Sequence, residues 1–333
     1  MKRGYMDWNK ELLPQSALES RRQALLEAAQ KEDIQAVVVY GDVYSADELS
    51  FYVNYAPYWC NCVAVLTQDD LYMVTGHNNR VNPWIHTLTG IEQEKLLASG
   101  FKVPERTAQS LKEHFPDGAR IGIVGKYTMD TVANALKQQG FELVEMDAAI
   151  TDNIRMKDAS YKNTVLKATE ILKNAFEIGH EDYAKGGTSR TVTAEIEYGA
   201  RKNGAMDIVM YVAYDSRAFG LPEVRDDAKG TWTVCALMQY LGVWVSMTET
   251  FGADLKNVKE MLEEAGKGLV PGELKLPDRV KVSQVLSDSI SDLNEKMHQA
   301  TEGQILFMEA QDADTGVSLG GMYQVTEEGA VAL

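Results

Sequence analysis

Three cysteines in 333 residues are too few, and odd in number, for a disulfide framework, which suits a reducing compartment. Basic residues are also in deficit: 33 Lys and Arg stand against 49 Asp and Glu, a formal net charge of −16. A phosphate backbone and an anionic membrane surface both demand a basic face, so the expectation is no nucleic acid and no membrane as partner. No stretch approaches the roughly 18 uninterrupted apolar residues that span a bilayer. The opening Met1-Lys-Arg-Gly-Tyr-Met-Asp-Trp8 lacks the apolar run of a secretory signal, and the cytoplasm is the expected compartment. Repeats of fixed period and low-complexity segments are absent too.

What is present suffices for two cores. The chain is longer than one core usually supports, and 45% of it is hydrophobic. Before residue 153 the hydrophobic pattern alternates between periods: helix 20–31, strand 35–40, strands 62–67 and 71–75, helix 107–115, strand 120–124, helix 129–139 and strand 142–145. That alternation predicts an α/β domain over 1–153. From 154 to 333 the pattern predicts an α+β domain. It has a long amphipathic helix over Tyr161–Tyr183, stopped by Gly186-Gly187, then a helix 193–203 capped near Thr188 or Ser189. Strands follow at 207–213, 231–238 and 242–250, helices at 254–267 and 281–298, and strands at 304–310 and 321–325.

Thr233-Val-Cys-Ala-Leu-Met-Gln-Tyr-Leu-Gly-Val-Trp-Val-Ser-Met-Thr-Glu-Thr-Phe-Gly252 reads as a hairpin, with Leu241-Gly242 as its turn. The run resembles the first metal-binding hairpin of the creatinase, prolidase and methionine aminopeptidase superfamily, the pita-bread hydrolases. Other phrases resemble that superfamily in the same order: Asp33-Ile-Gln-Ala-Val-Val-Val-Tyr40, Leu49-Ser-Phe-Tyr-Val-Asn-Tyr55, Ile154-Arg-Met-Lys157 and Tyr323-Gln-Val-Thr-Glu-Glu-Gly329. The resemblance implies a creatinase-type first domain, a shortened pita-bread second domain, and a dimer.

The family's metal-dependent members hold two ions with two Asp, a His in a Gly-His-Gly phrase and two Glu. Here the resemblance puts Cys235 and Ser246 at the Asp positions, Glu309 at the first Glu and Gly320 or Gly321 at the second, and finds no Gly-His-Gly phrase. One carboxylate leaves a divalent ion mostly water-bound, so no metal and no cofactor is expected. Creatinase hydrolyses a C–N bond without metal by means of a His and carboxylates. The matching segment, Tyr214 to Gly230, has no His.

The candidate catalytic residues are Glu309 with Glu249, or Asp215 in its place; Glu249 and Glu309 are expected on the floor of one pocket, where, as neighbours in a dry site, one would hold its proton more tightly. Asp215 and Arg217, in the charged loop that also holds Glu223, Arg225, Asp226 and Asp227, are the candidate ligand-binding pair, set against a plain solvated loop. Cys60-Asn-Cys62 has the spacing of a soft-metal pair, but no other Cys or His is near it in sequence, and it reads more simply as a strand entrance. Cys235 reads as a buried strand residue rather than a nucleophile, and His298 as a helix-end residue. Tyr55-Ala-Pro-Tyr-Trp59 and Trp84 suggest an aromatic wall at a pocket or subunit interface, set against ordinary packing.

Three functions are consistent with these residues. The first is a non-catalytic member that binds a small zwitterionic or peptide-like ligand, or pairs as homodimer or heteromer with an active paralogue. The second is a metal-free C–N hydrolase acting on a small amidine, amide or dipeptide. The third is a metallohydrolase using other donors, such as His180, Glu181, Asp312 and Asp314.

Overall fold

The computed structural model describes residues 6–125, 130–214, 219–221, 229–274, 276–285, 293 and 297–333. The chain divides into two compact units, one ending at Tyr161 and the other comprising Lys162–Leu333. Among the described residues no helix is long and apolar enough to cross a membrane.

The first unit contains α1 (Gln15–Gln30), β1 (Ala36–Gly41), α2 (Asp47–Val53), β2 (Cys62–Leu66), β3 (Leu71–Thr75) and α3 (Asn82–Thr89). It continues with β4 (Leu96–Ala98), α4 (Val103–Lys112), β5 (Arg120–Val124), α5 (Asp130–Gln138), β6 (Glu142–Glu145) and α6 (Ala148–Lys157). The described strands form one mixed sheet in the order β4-β3-β2-β1-β5-β6, with β1-β2 and β2-β3 antiparallel and the other pairs parallel. Successive residues of β1 feed opposite cores, as the two-residue period of a strand requires. Val37 and Val39 join Leu25, Leu49 and Tyr52 on one face, while Val38 and Tyr40 join Leu111, Val132 and Leu136 on the other. Both faces are thus covered by helices, the arrangement the alternating pattern predicts.

The first unit extends beyond the expected junction at 153/154. Buried Arg21 donates to the Asp158 carboxylate and to the Phe51 carbonyl, the latter at 2.8 Å, and the Tyr161 ring packs edge-on against Phe51. These contacts tie Asp158 and Tyr161 to Arg21 and Phe51, far away in sequence.

α7 (Ala159–Ala184) leads into the second unit. There follow α8 (Ser189–Lys202), β7 (Asp207–Tyr214), β8 (Trp232–Tyr240), β9 (Val243–Phe251), α9 (Lys256–Gly268), β10 (Gly272–Glu273), β11 (Val280–Ser283), β12 (Gln299–Ala300), β13 (Ile305–Gln311), β14 (Ser318–Thr326) and β15 (Gly329–Ala332). α8 begins four residues earlier than its expected start at 193, because Thr188 and Thr191 close a capping box ahead of it. An antiparallel sheet runs β11-β13-β14-β9-β8-β7, with β15 added beside β14. The β8-β9 hairpin turns on Leu241 (φ 45°) and Gly242 (φ 78°), two successive left-handed residues that match the right-handed twist of the strands. α9 buries Val258, Leu262 and Ala265, spaced four and three apart, in a core with Val280, Leu306 and Met308.

One expectation fails here. The predicted helix over 281–298 begins instead as β11, with Val280 and Val282 buried on either side of exposed Lys281. That is a period of two, too short a run to show against the longer polar stretch behind it. Residues 286–292 and 294–296 lie outside the described residues.

Candidate functional site

Antiparallel register decides which side chains share a face of the second sheet. Direct partners form one row across it: Lys281 on β11, Glu309 on β13, Gly320 on β14, Thr248 on β9 and Cys235 on β8. Lys281, Glu309 and Cys235 line a cavity of about 990 Å³, together with Thr233, Thr250 and Ser318 and with Asp254, Asp278 and Arg279 from the surrounding loops. Thr250 knits its floor, as its hydroxyl accepts from the Ser318 N–H at 2.8 Å and lies 2.7 Å from the Thr233 hydroxyl.

Glu309 is the carboxyl at the centre of this row. Desolvation by burial raises its pKa from 4.5 to about 7, with Lys281 opposite pulling it back down. Cys235 and Ser246, which the resemblance sets at the two Asp positions, come together, with Sγ and Oγ 3.8 Å apart. Burial, and next the Glu309 carboxylate, push the Cys235 thiol up to about 12. A thiol so protonated is no nucleophile at neutral pH.

Of the two glycines that the resemblance offers for the second Glu, Gly321 has open space where a Cβ would stand, whereas Gly320, in the row, does not. A Cβ on Gly320 would stand 2.7 Å from the Phe307 ring and 3.1 Å from the Glu309 Cβ. The buried Phe307 ring therefore occupies the space a side chain at 320 needs, and the row closes over one carboxyl.

Glu249 and Glu309 are not neighbours, contrary to expectation. Glu249 pairs in register with Val234 and Leu319, on the opposite face. Only 7% exposed, it meets His180 of α7, Nε2 to Oε1 at 2.8 Å, beside the Phe251 ring. The hydrogen bond to Glu249 raises the His180 pKa above 6.5. Burial, then, rather than repulsion between two carboxylates, is what holds the Glu309 proton.

Asp215 and Arg217 lie outside the described residues, as do Glu223, Arg225, Asp226 and Asp227. His298 is exposed, and its carbonyl accepts from the Leu274 N–H at 2.9 Å. Asp312 is used in a turn. Its Oδ1 accepts from the backbone N–H of Asp314 (2.9 Å) and Thr315 (3.2 Å), and Asn257 donates to its other oxygen. Those bonds, the Asp314 N–H foremost, hold its pKa below the usual carboxylate value.

Among the described residues His180, Glu181, Asp312 and Asp314 do not gather into a donor cluster. The group of three that does gather lies in the first unit: Cys60, Cys62 and His77, whose ligand atoms all lie within 4.8 Å of one another. Sequence reasoning missed two residues. Lys281 was hidden in the supposed helix, although the Val280/Val282 alternation marked a strand. His77 stands fifteen residues after Cys62, and only the β2-β3 hairpin returns it there.

No family model matches the chain, and no curated protein is similar to it. Solved structures are. The prolidase from Pyrococcus horikoshii OT3 is similar with a TM-score of 0.68 at 15% identity, over 94% of this chain and 97% of that one. Dipeptidase PepE from Mycobacterium ulcerans is similar with a TM-score of 0.68 at 13% identity, over 96% of each chain. The N-terminal domain of the FACT complex subunit SPT16 from Cicer arietinum is similar with a TM-score of 0.60 at 10% identity, again over 96% of each. The expected two-domain pita-bread fold is thereby shown.

Proposed function

We propose that this chain uses the prolidase fold to bind rather than to hydrolyse through a two-metal centre, and that its ligand is small and zwitterionic or peptide-like. The observation that carries this reading is the row across the sheet: Lys281, Glu309, Gly320, Thr248 and Cys235 offer one carboxyl, held in its acid form toward neutral pH. A hard divalent ion needs several ionised oxygen donors placed in advance. A neutral Glu309 instead donates a hydrogen bond. Arg279 and Lys281 offer charge to a ligand carboxylate, and Asp254 and Asp278 to an amine. Neighbours with this fold include both a dipeptidase and a FACT complex subunit, so the fold does not itself imply peptidase chemistry. Pairing, as homodimer or with a catalytically active paralogue, belongs to the same proposal, and light scattering on co-purified protein tests it.

A second reading, a metal-free hydrolase of a small amide, amidine or dipeptide, is favoured by the Glu309 pKa of about 7, the range in which a carboxyl serves as acid and base in turn. One experiment separates the two. Dipeptides, X-Pro substrates included, are incubated with the protein with Mn(II) or Zn(II) and with chelator, while a thermal-shift screen of the same compounds reads binding. Binding without turnover, lost in Lys281→Met, is the expected result. Turnover that survives chelator and disappears in Glu309→Gln establishes the hydrolase. Turnover that requires metal refutes both.

A further inference from the structure

We propose that Cys60, Cys62 and His77 form a binding site for a thiophilic metal ion, best matched by Zn(II), with the fourth coordination position left to solvent. The site stands in the first unit and is independent of the reading of the second.

Its construction follows from the β2-β3 hairpin. Cys62 and Thr75 are the last paired residues of the two strands, and the Gly76 N–H donates to the Asn61 carbonyl at 3.0 Å. That bond folds Cys60 back against the residues that leave β3. Position 76 has no room for a side chain, because a Cβ there would lie 2.9 Å from the Cys60 Cβ and 3.0 Å from its Sγ. Glycine thus admits the sulfur, and the next residue is His77. Two sulfurs and an imidazole are a donor set suited to Zn(II) rather than to Mg(II), Ca(II) or Mn(II).

The hydrogen bonds of His77 prepare it as a ligand. An indole N–H can only donate, and Trp59 Nε1 stands 2.9 Å from His77 Nδ1, so Nδ1 presents its lone pair. The ring proton is then on Nε2, 2.8 Å from the buried Tyr55 hydroxyl, and Tyr58 stacks on the ring at 4.7 Å. Fixing the tautomer and plane of a ligating histidine through its far nitrogen is the usual task of a metal's outer shell. A metal at Nδ1 takes the place of the bond from the Trp59 indole, which is 51% exposed.

Both cysteines bind a metal as thiolates, and an arriving cation itself favours loss of their protons.

Co(II) titration of the full chain tests the site, with its three cysteines first verified as reduced. Expected are thiolate-to-cobalt charge-transfer absorption that saturates at one equivalent per chain, displacement of that cobalt by Zn(II), and loss of the band in C60S/C62S. Tyr55→Phe should weaken affinity about 10- to 100-fold with stoichiometry unchanged. Wild-type protein alone decides the matter if the double variant does not fold: no charge-transfer band in reduced wild type overturns the site. So does a band that persists in folded C60S/C62S, or a Cys60–Cys62 disulfide formed in air by a protein that takes up no metal once reduced.

Discussion

Replacing Glu309 by Gln should stabilise the protein, increasingly as pH rises above 4.5 and fully above about 7. Folding raises the Glu309 pKa from 4.5 to about 7, so between those values the native state holds a proton that the unfolded chain has released. Stability therefore falls as pH rises through this window. Below it, both states are protonated and Glu309 costs nothing. Above it, the cost is complete. A displacement of about 2.5 pH units at about 1.4 kcal/mol each amounts to about 3 kcal/mol. Glutamine keeps the shape and hydrogen-bonding capacity and has no proton to lose. Urea unfolding of both proteins across the window, with the two free energies subtracted, cancels the groups they share. The difference should be near zero at about pH 4 and reach about 3 kcal/mol in favour of Glu309→Gln by about pH 8. A difference that does not change with pH refutes the argument. If wild type gains on the variant as pH rises, Glu309 is held ionised, as a metal ligand would be.

Lys281→Met removes the cation that lowers the Glu309 pKa, and should move the same transition to higher pH without removing it, as read from the unfolding series. His180→Gln strips Glu249 of its charged partner and should destabilise by about 1–3 kcal/mol. Because the folded His180 pKa is raised, that loss should be largest below its unfolded value of 6.5 and shrink as pH climbs past the folded one. Gly320→Ala drives a methyl into the Phe307 ring and should cost about 1–3 kcal/mol. Phe307→Leu in the same chain should recover part of it, a coupling that a double-mutant cycle on urea midpoints measures.

Much of this architecture was legible locally. The Leu241-Gly242 turn, the β-branched runs on either side of it and the α/β alternation of the first unit rest on short-range patterns, and the structure repeats them within a few residues. The separation of Glu249 from Glu309 is legible in the strand period as well. With Ser246 assigned to the cavity face, a residue three further along the same strand must face away. Register across strands is another matter. That Lys281 stands opposite Glu309, that Phe307 takes the space above Gly320, and that His77 returns to the Cys60–Cys62 pair are contacts between distant segments. No local periodicity encodes them, because they are set by which strands pair and where each begins.

That the second unit has no two-metal centre is tested by metal content in folded C60S/C62S, which carries no substitution in that unit. The protein is incubated with Mn(II) and Zn(II), desalted and analysed by plasma mass spectrometry. No stoichiometric metal is expected. One or two equivalents per chain retained in this variant, and lost on adding Glu309→Gln, would contradict it and restore Glu309 to the role of a metal ligand.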